Sequence, residues 1–354
     1  MLLQILSLCT SFVVAYSGYL FFQLIRFPAA PLLGSMAATG MLGFTGWVSS
    51  FDTGSLTFVC SIVLGINLGK QIRGDILAKV RTAIRPVLIH AGGMLLTSLA
   101  CGYILYILTN KDGNSISLVS AFICTSTGGV TEMTLLGLSL GANVMLIVLF
   151  QIVRQVTFLT LIPYSAKMSK AFGSHRVSKK TTLPGRGPLS AYGRWDYLFL
   201  ICVATAGGYL GYRLGIPAGT LFGSMTAAGI LTIILKKHYI LKAKIRLAAQ
   251  LGLGIIMGQR VDASLGDLLV SFLLPLFLVT LAMVVCCLLL AFLLYKTTDY
   301  DLTTCLICSA PTGLSQIAAH AEEAGADVLT ATLFHAVRVV SIVGIYPLLI
   351  MCFS

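Results

Sequence analysis

The sequence predicts an all-α integral membrane fold made of two homologous, inverted repeats, each with about five crossings and one broken or re-entrant helix. Three observations predict it. Of 354 residues 57% are hydrophobic and 10% charged, whereas a soluble domain carries roughly 25% charged residues. Residues 27–42 (FPAAPLLGSMAATGML) and 216–231 (IPAGTLFGSMTAAGIL) are identical at nine of sixteen positions, at an offset of 189. Basic residues cluster between apolar runs, as on the cytoplasmic side of membrane proteins.

The repeat extends along the chain. At the same offset Gly65-Ile66 and Gly69 meet Gly254-Ile255 and Gly258. Later the offset falls to 184, where Gly129, Gly141-Ala142, Phe150, Arg154 and Pro163 meet Gly313, Gly325-Ala326, Phe334, Arg338 and Pro347. The expected organisation is a first repeat at 1–164, a basic cytoplasmic linker at 165–194 and a second repeat at 195–354. A duplicated membrane unit points to a site shared by the two copies.

Apolar runs fall near 3–25, 28–48, 54–69, 86–109, 115–140 and 142–164, then near 195–212, 216–235, 247–259, 268–295, 302–324 and 326–353. A crossing needs about 20 residues. The first run lacks the basic segment of a secretory signal and reads as a retained helix. Pro28 and Pro217 suit helix starts, where a missing N–H costs little. The Gly-Ser-Met motifs at 34–36 and 223–225, with the glycines at 65, 69, 254 and 258, suit close helix approach.

Charge sets the direction of the copies. Segment 70–85 holds Lys70, Arg73, Lys79, Arg81 and Arg85 against Asp75, and the linker holds seven basic residues and no acid. Both belong on the cytoplasmic side, which requires one of the three intervening runs not to cross. Run 115–140 is broken by Gly128-Gly129 and predicts a re-entrant hairpin, whose irregular tip is tolerated only in a cavity or inside protein. Five crossings then invert the second copy. In agreement, 43–54 carries only Asp52 while its counterpart 236–246 carries five basic residues. Parallel copies of six spans each are the alternative.

The ten cysteines lie almost all in apolar runs and read as small hydrophobes without disulfides. Cys305 and Cys308 form a C-x-x-C inside a helix with no second ligand pair, so no metal and no cofactor is expected. The net charge of +12 reflects the loops between spans, and no nucleic-acid partner is expected. No Walker A motif is present.

Candidate binding residues cluster at the predicted breaks: Ser126, Thr127, Gly128, Gly129, Thr131 and Glu132 in the first copy, and Pro311, Thr312, Gly313, Ser315 and Gln316 in the second. A broken helix leaves backbone groups unpaired and directs a positive N-terminus at the break, where an anion or a cation can be held. Glu132 is the only acid deep in an apolar run of the first half, and such a group normally has a partner or a function. Arg154 and Arg338 are its candidate partners, either in a structural ion pair or with Glu132 as a cation or proton site and one arginine as an anion clamp. His335 stands one helical turn before Arg338, where the first copy has Gln151.

At these motifs the chain resembles the AbrB family of bacterial membrane proteins, which is unrelated to the soluble transition-state regulator of the same name. The resemblance rests on P-A-x-x-L-x-G-S-M in both copies, G-G-V-T-E-M at 128–133, P-T-G-L-S-Q at 311–316 and H-x-x-R at 335–338, and covers nearly the whole chain. Gln316 departs from the family's usual Glu, and Gln151 from a first-copy His. The resemblance implies a multi-pass protein of the bacterial cytoplasmic (inner) membrane, labelled in some members a regulator of gene expression and in others an ammonia monooxygenase.

The function expected from the residues is secondary transport of a small, anionic solute between the two hairpins; the alternatives are a membrane-embedded regulator acting indirectly on gene expression and, behind it, a membrane monooxygenase. No enzyme activity is expected, because the ionisable groups of the spans are scattered. The expected partners are the lipid bilayer and a small-molecule or ion ligand, with room for a homodimer.

Overall fold

A computed structural model describes residues 2–25, 27, 29–44, 53–69, 83–111, 116–164, 194–215, 218–235, 241–260, 265–312, 317, 321–322 and 324–351. The linker 165–193, most of segment 70–85, and Pro28 and Pro217 lie outside them. Among the described residues every regular element is helical. The first copy contains α1 (Leu2–Leu24), α2 (Ala30–Phe44), α3 (Thr53–Gly69), α4 (Ile84–Lys111), α5 (Leu118–Thr125), α6 (Val130–Ser139) and α7 (Val144–Leu161). The second contains α8 (Arg194–Arg213), α9 (Gly219–Leu235), α10 (Ala243–Gly258), α11 (Leu265–Thr297), α12 (Leu302–Ser309) and α13 (Val328–Met351).

Among the described residues, five helices are long and apolar enough to cross a bilayer: α1, α4, α7, α11 and α13. α3 and α9 are apolar but only 17 residues each, or about 26 Å at 1.5 Å per residue. The remaining sequence-read crossings fall on α2, α8 and α10, of 15, 20 and 16 residues.

In space the chain divides across the repeats. One compact unit is Met1–Arg73 with Ala191–Val270, and the other is Gly74–Ser190 with Ser271–Ser354. Each unit therefore takes the same half of each copy: α1–α3 with α8–α10, and α4–α7 with almost all of α11 and α12–α13.

The first unit is held by small residues at its helix crossings. A Cβ on Gly65 would overlap the Ser224 side chain, and one on Gly254 would overlap Ser35. Adding 189 to Gly65 and subtracting it from Ser224 turns the first contact into the second, so the two copies are related by a two-fold exchange. Register adds direction. Gly65 faces Leu221 and Ser224, and Gly69 faces Met225 and Ala228, so α3 and α9 run the same way. Likewise Gly254 faces Leu32 and Ser35, and Gly258 faces Met36 and Thr39, so α10 runs with α2.

Copies of like orientation would make α2, α3, α9 and α10 all parallel. Yet only eight residues separate α2 from α3. An exposed backbone returning through hydrocarbon is forbidden, so helices this near in sequence run oppositely, α2 against α3. The repeats are inverted. The same geometry recurs where α2 and α9 begin: Ala29 and Ala218 both take left-handed φ values, 52° and 53°.

In the second unit the broken helix is present in both copies. α5 ends at Thr125, and Ser126 and Gly129 are extended before α6 begins; α12 ends at Ser309 and Ala310 is extended. α5 and α6 have eight and ten residues, about 12 and 15 Å, too short to cross. Their ends meet again. The Asn143 N–H, after α6, donates at 2.9 Å to Ser120 Oγ in the first turn of α5, and Asp327 N–H donates at 3.0 Å to Thr304 Oγ1 in the first turn of α12. In each copy the chain that leaves the first short helix is back at the base of that helix before the next long helix begins. Gly141 (φ 66°) and Gly325 (φ 72°) make the left-handed turns that allow this return.

Candidate functional site

Each hairpin tip is held by an arginine from the helix that follows it. Arg154, on α7, donates from Nη1 to the Ser126 carbonyl and from Nη2 to the Gly128 carbonyl at 2.8 Å. Arg338, on α13, donates from Nη1 to the Ala310 carbonyl and from Nη2 to the Thr312 carbonyl, both at 2.9 Å. The bonded carbonyls sit 28 and 26 positions before their arginine in both copies. They are groups that a continuous helix would have paired and that the break orphans. Both side chains are almost wholly buried, Arg154 at 2% and Arg338 at 1% exposure.

One turn before each arginine, a second side chain completes the clamp. Gln151 Nε2 donates to the Ile123 carbonyl at 3.0 Å and its Oε1 accepts from Arg154 Nη2. His335 Nε2 lies 2.9 Å from the Ile307 carbonyl, and its Nδ1 lies 2.7 Å from Arg338 Nη2. Arginine only donates and a carbonyl only accepts, so His335 is the neutral tautomer protonated at Nε2.

Other helices brace the tips. On the first, Thr125 Oγ1 donates to the Ser98 carbonyl of α4 at 2.7 Å, and Tyr346 of α13 donates to the Phe122 carbonyl at 2.7 Å. On the second, His90 of α4 shares a 2.9 Å hydrogen bond with Ser309 Oγ and stacks edge-on against Phe334.

The sequence-read residues fall as follows. Ser126, Thr127, Gly128 and Gly129 form the first tip, with Thr131 and Glu132 in the first turn of α6. Pro311 and Thr312 form the described part of the second tip, both buried. Gly313, Ser315 and Gln316 lie outside the described residues.

The expected pairing of Glu132 with an arginine is not what the geometry provides. The Glu132 carboxyl folds back over Gly129, the residue before α6, the direction in which an acidic residue of a first helical turn reaches in a capping box. The guanidiniums are used on the break carbonyls instead. Both arginines retain a buried Nε–H with no partner, as does Thr312 Oγ1.

Gln151, His90, Ser98 and Tyr346 were not among the residues singled out as binding candidates. Gln151 was legible through its alignment with His335. His90, Ser98 and Tyr346 act from helices distant in sequence, with no repeat partner of like chemistry.

Comparison with known proteins gives one family. The family model described as Transition state regulatory protein AbrB matches residues 2–170 and again residues 114–354, two overlapping segments as a repeat produces. A relative from Escherichia coli (strain K12), named "Putative regulator AbrB", is 24% identical over 328 residues, covering 91% of this chain and 89% of its own. The uncharacterized protein YhjN of Bacillus subtilis (strain 168) is 21% identical over 299 residues, covering 81% of this chain and 75% of its own.

Proposed function

Because the chain belongs to the AbrB family, we propose that this multi-pass protein of the cytoplasmic membrane is a secondary transporter, with a small organic anion bound at its paired hairpin tips. The observation that carries this reading is the state of the two arginines. Two buried guanidiniums are anchored on carbonyls rather than on carboxylates. A helix C-terminus supplies roughly half a negative charge, so the Arg338 break keeps a net positive charge in a low-dielectric setting, whereas the Glu132 carboxyl over Gly129 lies at the Arg154 break. Such charge is costly to leave unbalanced, and a bound anion would balance it. The unpartnered Nε–H groups and Thr312 Oγ1 are donors left for that anion.

Inverted repeats with broken helices are the architecture in which a mid-membrane site alternates between two faces. The regulator name of the Escherichia coli relative favours a second reading, in which an effect on gene expression follows from the level of the solute carried.

The test is uptake into proteoliposomes under imposed proton and sodium gradients. Saturable uptake or exchange of an organic anion, lost in Arg338→Ala protein that still inserts, is the expected result. No saturable flux of any anion in the panel would remove the reading.

A further inference from the structure

The first hairpin has a brace that the second lacks. The Tyr346 hydroxyl donates to the Phe122 carbonyl at 2.7 Å, and Thr125 Oγ1 donates to the same carbonyl at 3.1 Å. That carbonyl is among the last four of α5, which a helix leaves without intrahelical partners. The two-fold exchange carries Phe122 to Leu306, Thr125 to Ser309 and Tyr346 to Ile162, at the offset of 184 that also relates Arg154 to Arg338. Neither counterpart serves Leu306. Ser309 turns its hydroxyl to His90 at 2.9 Å, and the Ile162 side chain has no polar group. The Ala310 N–H, which a continuing helix would bring to Leu306, bonds the Ile307 carbonyl at 3.2 Å instead. An apolar cavity of about 90 Å³ is lined by both members of the missing contact, Ile162 and Leu306. Every side chain that lines it is apolar. Leu161 and Leu288, also in its wall, are 41% and 39% exposed on helices apolar enough to span, so the cavity faces hydrocarbon.

We infer that this cavity is a binding site for a small neutral alcohol, whose hydroxyl donates to the Leu306 carbonyl as Tyr346 does to Phe122 and whose hydrocarbon body fills the cavity. The two-fold related position shows the chemistry that fits, an apolar group tipped with a single donor. A charged ligand is excluded, because an apolar lining has nothing to balance it. Water does not take the place of the alcohol, since a buried water needs two to four polar partners. Size sets the body. Ile162 already fills part of the volume that a tyrosine ring would need, and a cavity of about 150 Å³ is what accepts benzene. This one is smaller, so it holds a chain of about three to five carbons and not a ring. Bound there, the alcohol ties the end of α7 to α12, as Tyr346 ties α13 to α5. The site is separate from the arginine clamps and does not rest on the anion reading above.

The experiment titrates 1-butanol and its isomer methyl propyl ether into the full-length protein in phosphatidylcholine nanodiscs and follows the isotope-labelled methyl resonances of Leu306. The expected result is a saturable shift with 1-butanol and binding about fivefold weaker for the ether, which has the same atoms but no donor. Ile162→Tyr, which supplies the side chain that the other copy has, removes the saturable shift. It also melts higher than Ile162→Phe, because only the tyrosine brings a donor to the Leu306 carbonyl. Equal affinity for the two isomers would overturn the hydroxyl assignment, and equal melting of the two variants would remove Leu306 as the acceptor. A shift that grows in proportion to concentration, or that persists in Ile162→Tyr, would show partition into lipid only and overturn the inference. If Ile162→Tyr does not fold, the comparison of isomers in the unaltered protein decides.

Discussion

Gln151 and His335, 184 positions apart, hold their arginines in the same way with different chemistry: each accepts from the guanidinium three residues on and donates to a carbonyl 28 residues back. An amide and a neutral imidazole are interchangeable here because both offer one donor and one acceptor. The substitution His335→Gln therefore retains the fold and the clamp. His335→Phe keeps the volume but strands the Ile307 carbonyl and one Arg338 N–H, at a cost of about 1–3 kcal/mol for buried groups left unsatisfied. Thermal unfolding of the two purified variants separates them; equal destabilisation would show that His335 only fills space.

Glu132 predicts a separation of binding from coupling. Its neighbours Thr131 and Met133 are buried while Glu132 itself is half-buried, and its carboxyl covers the start of α6 instead of neutralising an arginine. Glu132→Gln makes the first hairpin resemble the second, which has Gln316. The variant is expected to bind the solute, read as a ligand-induced rise in melting temperature, but to lose uptake driven by an ion gradient. Full gradient-driven uptake by Glu132→Gln would exclude the carboxyl from coupling.

Much of this arrangement was legible in the sequence because duplication and helix breaks are local patterns. Gly128-Gly129 interrupts an apolar run, and Arg154 and Arg338 align by offset alone. The partners of the arginines were not legible, because the acceptors that win them are backbone carbonyls, which every residue carries. A carboxylate at Glu132 looks like the natural counter-charge, yet as the third residue of α6 it is captured by its own helix start. The spatial division was hidden for another reason. Repeats are contiguous in sequence, but a two-fold exchange pairs α3 with α9 and α2 with α10, so the compact units mix the copies.

That exchange makes two distant glycines equivalent. Gly65→Ala and Gly254→Ala each drive a methyl group into a serine of the other copy, and overpacking of this kind costs about 1–3 kcal/mol. The two variants should lose similar stability, while Gly92→Ala, where nothing lies within 4 Å of the added carbon, should be neutral or better. Chemical denaturation in detergent measures all three. A large difference between Gly65→Ala and Gly254→Ala would mean that the two-fold relation does not extend to energetics.

Inversion itself makes a prediction about sidedness. With α3 parallel to α9 and opposed to α2, every counterpart pair must exit the membrane on opposite faces. Segment 70–85 follows α3, and segment 260–267 follows its counterpart α10. Single cysteines at Arg81 and at Asp262, in a background with the ten native cysteines replaced, should react with a membrane-impermeant maleimide from opposite sides of oriented vesicles. The basic segment, with five Lys and Arg, should be the cytoplasmic one, since positive charge is retained on that side. Labelling of both positions from one compartment would show that α3 and α10 leave the membrane on the same face and would overturn the inverted arrangement.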